Sequence, residues 1–175
     1  MADYQEILYD KEAWLSPIRK SELLLYTTLV HIGNQEYKVA KKYISNAIID
    51  HNIKYLPLMR TIRLVRLIVF YEVQEHELIQ YESRSITRSL SSPKEQTFKT
   101  ERIILWFLNK RNIPILKKDR EAFWEKLSPE IHELYNNKYE SQLLRLFDFT
   151  AWMESKIRKE KLSEVLRART SAKEC

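Results

Sequence analysis

The chain has 175 residues, 44% of them hydrophobic and 31% charged, with a formal net charge of +6, five prolines, one cysteine and a single glycine, Gly33. Roughly a dozen glycines would be ordinary at this length, at about 7% of residues, so sites built on glycine loops are excluded: no dinucleotide-binding fingerprint, P-loop or kinase glycine loop fits here. The lone Cys175 excludes an internal disulfide and a cysteine-built metal site.

Residues 1–10 carry Asp3, Glu6 and Asp10 where a secretory leader needs a basic flank and an apolar run. The most apolar stretch, 62–71, is interrupted by Arg63 and Arg66 and falls well short of the roughly 20 residues a bilayer requires. The expectation is a cytoplasmic protein with no membrane partner. No linker or low-complexity tract divides the chain, so one domain is expected over residues 1–169, with a frayed tail at 170–175.

Taken in chain order, the first predicted helix covers 3–15, with Asp3 in a capping position. Ser16-Pro17 opens the next, over 17–33, because serine supplies an acceptor for orphan amides and proline needs no hydrogen-bond partner in the first turn. Gly33-Asn34-Gln35 reads as a tight turn into a helix over 36–51. Pro57 suits the first turn of a helix over 56–74, followed by one over 76–91. Ser92-Pro93-Lys94-Glu95 is a capping box that starts a helix over 94–111. Helices over 116–127 and 129–168 complete the pattern; Ser128-Pro129 separates them, and Asn136-Asn137 marks a break in the last. Apolar spacing is helical throughout, as in Leu24, Thr28 and Ile32, and strand alternation is nowhere sustained. The fold class is all-α, with helices in antiparallel pairs.

One internal similarity stands out. In the helix after Gly33, Ala40 and Ala47 lie seven residues apart with Ile44 between them, a face on which small residues admit a neighbouring helix closely. With Tyr37 at the start of that helix and Leu24, Thr28 and His31 on the face of the preceding one, residues 21–51 resemble a tetratricopeptide-type repeat. The tryptophan-leucine-glycine-tyrosine set of the family's first helix is absent, and no proline closes the hairpin after His51. An offset of 39 residues aligns Ala40, Ile44 and Ala47 with Ile79, Ser83 and Ile86. A third pair, 93–112 with 116–127, shares only the length, and the run from Leu143 to Ile157 looks like a terminal capping helix. As a whole the chain is similar to the C-terminal part of a larger tetratricopeptide-like protein. That resemblance implies a short α-solenoid or irregular helical bundle acting as a binding scaffold, with Leu24, Thr28, Tyr37, Ala40, Ile44 and Ala47 as its packing residues.

Basic excess concentrates in residues 51–100, with 8 Lys and Arg against 5 Asp and Glu, and in 151–175, with 7 against 4, so a charged partner surface is sought there. Arg60, Arg63 and Arg66 share an arc of about 120° on one helix. They read either as a clamp for phosphate or carboxylate or as the solvated edge of an otherwise apolar helix. Arg84 and Arg88, one turn apart on the next helix, extend the same surface. The basic residues from Lys156 to Lys173 are interleaved with Glu154, Glu160 and Glu164, as a solvated helix end requires.

Metal chemistry in a bundle would need paired Glu-x-x-His motifs on facing helices. Glu72 and His76 are one turn apart, but no second such pair exists, and His31 reads as a hydrogen-bonded core residue. Serines sit at helix starts, and Glu72 with Glu75 or Glu130 with Glu133 have no neighbour that would raise one pKa. No catalytic residue, metal or cofactor is expected. The leading expectation is a non-enzymatic scaffold that binds a protein or peptide partner of acidic character through Arg60, Arg63, Arg66, Arg84 and Arg88. The alternative is a nucleic-acid-binding module that uses the same arginines with exposed Tyr71 or Tyr81. The other aromatics, Trp106 and Trp152 among them, fall on apolar faces and are assigned to the core.

Overall fold

A computed structural model describes residues 15–47, 56–90, 98–109 and 113–171. Among these the secondary structure is helical without a strand: α1 Pro17–Gly33, α2 Tyr37–Asn46, α3 Pro57–Glu72, α4 His76–Leu90, α5 Lys99–Asn109, α6 Lys117–Asn136, α7 Glu140–Leu146, α8 Phe149–Arg158 and α9 Leu162–Ser171. The helix expected over 3–15 and the capping box at Ser92-Pro93-Lys94-Glu95 lie outside the described residues.

The first four helices follow local rules. Ser16 caps α1 by accepting the Arg19 N–H at 3.4 Å, and Pro17 and Pro57 occupy the opening turns of α1 and α3. Each hairpin then closes through the same turn. The Gln35 N–H donates to Ile32 O (3.0 Å) and the Glu36 N–H to His31 O (2.8 Å); 39 residues on, Gln74 donates to Tyr71 O (3.1 Å) and Glu75 to Phe70 O (2.9 Å). These are Schellman closures, which satisfy the last helix carbonyls and require one left-handed residue. That residue is Gln35 in the first and Gln74 in the second, both at φ 62°. The turn expected at Gly33-Asn34-Gln35 is present at Asn34 and Gln35, and its left-handed residue is Gln35 rather than the glycine. Gly33 is the last residue of α1, its φ is not positive, and the glycine that would relieve the turn is two residues away from where the backbone needs it.

The C-terminal half departs further from the sequence expectation. Pro129 does not start a helix; α6 runs through it from Lys117 to Asn136. Interior proline costs about 3 kcal/mol, but Trp124, Ile131 and Leu134 form one continuous buried face across it, and burying three such side chains contributes about 1.5–3 kcal/mol each. The break at Asn136-Asn137 is present. The long helix expected to follow is instead three, α7, α8 and α9. Asp148 interrupts it by accepting the Ala151 N–H at 2.9 Å as an N-cap, and Lys159 takes a left-handed conformation at the end of α8. Leu143 to Ile157 is thus two helices, and α8, with Phe149, Ala151, Trp152, Met153 and Ile157 fully buried, lies in the core rather than capping it. Thr170 and Ser171, expected in a frayed tail, form the last turn of α9.

The core is organised around α3. That helix buries Met59, Ile62, Leu64, Val65, Leu67, Ile68 and Val69, which lie all around its circumference. It touches α1, α2, α4, α5 and α7. Through α4 the helices pack neighbour to neighbour; beyond it, α5 and α7 return to cover α3, and α8 packs on α5, α6 and α9. The proposed repeat-packing residues lie inside: Ala40, Ile44 and Thr28 are fully buried, Leu24 and Ala47 nearly so, and Tyr37 is half-buried. Their counterparts at the 39-residue offset, Ile79, Ser83 and Ile86, are also buried.

Candidate functional site: the arginines of α3 and α4

The five arginines singled out from the sequence divide into two groups. Arg60 is directed into the interior, with its side chain 5% exposed. It donates to Glu101 Oε2 of α5 at 2.6 Å, and its guanidinium lies 4.8 Å from the ring centroid of Phe98. Burial raises the Glu101 carboxyl above its usual range, against the opposing pull of Arg60 and of the Phe98 N–H, which also donates to it. Arg63 bridges to α4, with Nε 3.6 Å from Glu82 and Nη2 donating to Ser85 at 3.2 Å. Arg66 turns back on α2 and donates to the carbonyls of Ile44 (3.2 Å) and Ala47 (2.9 Å), so it covers the negative end of that helix. Burial lowers the Arg66 pKa, with Glu82 pulling the other way. A guanidinium starting from so high a value remains charged.

These three arginines therefore tie α3 to α5, α4 and α2, with Arg60 buried and Arg63 and Arg66 partly buried among the described residues. The reading of Arg60 as a surface ligand-binding residue is corrected by its burial: a partner cannot reach it without separating α3 from α5. A partly legible signal was present, since three arginines on a helix otherwise apolar all round demand acceptors. Those acceptors stand 19 to 41 residues away in the chain.

Arg84 and Arg88 differ. Both are exposed on α4, and neither has a hydrogen-bond or ion-pair partner among the described residues. They border a surface depression of about 490 Å³ whose described lining also includes Gln80, Ser83 and Thr87 of α4 and Asn109 at the end of α5. No carboxylate belongs to that described lining. Thr87 donates to Ser83 O (2.9 Å) and Asn109 Nδ2 to Leu105 O (2.9 Å), which fixes both side chains along their own helices. Ser83 is buried to more than nine-tenths, and its Oγ has no hydrogen-bond partner among the described residues. Tyr81, also on α4, is 74% exposed, but it does not line the depression.

The remaining candidates resolve into structural pairs. Tyr71 packs edge-on against Trp152 at 5.4 Å and lies 6.4 Å from Phe107, so it is a half-buried member of an aromatic cluster against the core. Glu72 accepts from Trp152 Nε1 (2.7 Å) and pairs with Lys156 (2.6 Å), joining α3 to α8. His31 stacks on Tyr43 at 5.3 Å and pairs with Glu36 at 2.5 Å. Trp106, assigned to the core from the sequence, is 42% exposed and stacks on Phe123. Of the basic C-terminal residues, Arg169 is the most engaged: it holds Asp148 at 3.0 Å, Glu154 at 2.6 Å and the Tyr135 hydroxyl at 2.7 Å. Burial pulls its pKa down, but Asp148, Tyr135 and Glu154 together raise it overall.

Among the described residues no three His, Cys, Asp or Glu come together as a metal site, and no helix is long and apolar enough to cross a membrane. No family model, curated protein or solved structure matches this chain.

Proposed function

We propose that this chain is a non-enzymatic, tetratricopeptide-like helical scaffold that binds an acidic protein or peptide segment at the α4 face, with Arg84 and Arg88 as the contact residues. The observation that carries this reading is the contrast within one set of arginines. Those on α3 are consumed by interhelical partners, whereas the two on α4 are exposed, one turn apart and unneutralised beside a depression without a carboxylate in its described lining. Unpaired guanidiniums are suited to carboxylate or phosphate because their fork geometry gives bidentate, charge-assisted hydrogen bonds. The repeat character draws support from the two identical turns 39 residues apart and from the buried faces they align.

The nucleic-acid reading needs a row of cations and stacking aromatics along a groove. Arg60, Arg63 and Arg66 are engaged by other helices and Tyr71 is half-buried against Trp152, so the surface that reading relied on reduces to Arg84 and Arg88 with the exposed Tyr81 on the same helix. Fluorescence anisotropy separates the two readings. A labelled decaglutamate peptide is expected to bind the wild type and to lose binding in the Arg84→Glu/Arg88→Glu variant, with unchanged helicity by circular dichroism. Tighter binding of random single-stranded RNA, falling steeply between low and moderate salt as counterion release requires, would replace the acidic-peptide reading with the nucleic-acid one.

A further inference from the structure

Two features of the α4 depression narrow the chemistry of what enters it. The first is charge. Arg84 and Arg88 contribute two positive charges with no counter-charge in the described lining. One carboxylate balances half of that, and successive phosphodiesters of a nucleic acid carry one charge each and call for cations spaced along a strand. A phosphate monoester, at about −1.5 to −2 near neutral pH with three acceptor oxygens, matches both guanidiniums at a single point.

The second feature is Ser83. It lines the depression together with the two arginines and Gln80, it is only 6% exposed, and its hydroxyl has no hydrogen-bond partner among the described residues. A buried hydroxyl left unsatisfied costs about 1–3 kcal/mol, so this lining carries a donor that an entering acceptor satisfies. An oxyanion seated between Arg84 and Arg88 supplies the missing acceptor once the exposed side chains beside Ser83 give way. The lining thus offers two guanidinium forks one turn apart and, on the adjoining buried side of the same helix, the Ser83 hydroxyl.

We infer that the depression is a phosphate-monoester pocket, and that the segment it takes is a phosphorylated serine or threonine side chain of a partner peptide. This rests on the acidic-partner reading above and specifies it. At about 490 Å³ the depression has room for the phosphorylated side chain and part of its flanking backbone, within the range of roughly 300–1,000 Å³ usual for ligand sites.

The test is an NMR titration that follows the arginine Nε–H resonances with two probes that share a ring and differ in charge: phenyl phosphate and benzoate. Phenyl phosphate is expected to move the Arg84 and Arg88 resonances and to bind about tenfold more tightly than benzoate, as the second charge and the extra acceptors require. Ser83→Ala is expected to weaken phenyl phosphate several-fold and to leave benzoate unchanged, while Arg84→Glu/Arg88→Glu abolishes the shifts that both probes cause in the backbone amides of α4. A phosphoserine peptide, its glutamate counterpart and a single-stranded RNA then extend the comparison to macromolecules. Equal affinity for the two small probes overturns the phosphate assignment and leaves the acidic-peptide reading standing. Movement of neither arginine by either probe overturns both. RNA binding more tightly than the phosphoserine peptide, through the same resonances, overturns the inference in favour of a nucleic-acid site.

Discussion

The misplaced glycine makes a quantitative prediction. Gln35 and Gln74 both hold φ 62° at the closures of α1 and α3, a conformation that costs a residue with a Cβ about 1 kcal/mol. Gly33 holds a helical conformation at the end of α1, and a Cβ added there would meet nothing within 4 Å. Gly33→Ala therefore adds no clash and reduces the freedom of the unfolded chain, for a stabilisation of about 0.5–1 kcal/mol. Gln35→Gly and Gln74→Gly each remove the left-handed penalty but return some unfolded-state entropy, leaving a net gain of about 0.5 kcal/mol apiece. The triple variant should gain about 1.5–2 kcal/mol, or about 3–8 °C in Tm for a chain of this size. Urea and thermal unfolding followed by circular dichroism at 222 nm, on the single variants and the combinations, measures each increment. The combinations are needed because positions 33 and 35 share one turn and need not add. A destabilised Gly33→Ala, or glycine at 35 and 74 lowering both midpoints, would refute this account of the two turns.

The buried Arg60–Glu101 pair gives a second prediction: Arg60→Met leaves an uncompensated buried carboxylate and should cost about 3–5 kcal/mol, while Arg60→Met/Glu101→Met recovers most of that loss, as a double-mutant cycle in urea will show. Arg169→Ala should release α9 from α6 and α8, because one guanidinium holds Asp148, Glu154 and Tyr135 together; amide hydrogen exchange in 162–171 is expected to accelerate while that of α3 does not change. Alkaline pH should destabilise the fold. Burial, seconded by Glu72 for Tyr37 and Asp148 for Tyr135, pushes both phenols up to about 12, against about 10 when unfolded. Between those values the native state keeps protons that the unfolded state has lost, so stability present below pH 10 declines as pH rises toward 12. Absorbance at 295 nm, native against urea-unfolded, follows the two titrations, and Tyr37→Phe/Tyr135→Phe should flatten the decline.

How far the sequence was legible depends on the range of the interaction responsible. The helical class, the starts of α1 and α3 at Ser16-Pro17 and Pro57, and the buried face of Ala40, Ile44 and Ala47 were readable because capping, proline geometry and the 3.6-residue period act within a turn or two. The 39-residue offset was readable for the same reason. What tertiary structure alone decided involves groups that meet from far apart. Glu140 of α7 accepts the Lys99 and Thr100 N–H groups at the start of α5 at 2.5 and 3.0 Å, some 40 residues away, and no local signal announces such a cap. Pro129 stays inside α6 because a face completed by other helices outweighs the local rule. The arginines are the clearest case: five similar residues at similar spacing fell into interior ties and an exposed pair. A guanidinium goes wherever the fold places its acceptors. For Arg60, Arg63 and Arg66 those are Glu101, Glu82 and the end of α2, brought to α3 by packing; for Arg84 and Arg88 packing brought none among the described residues.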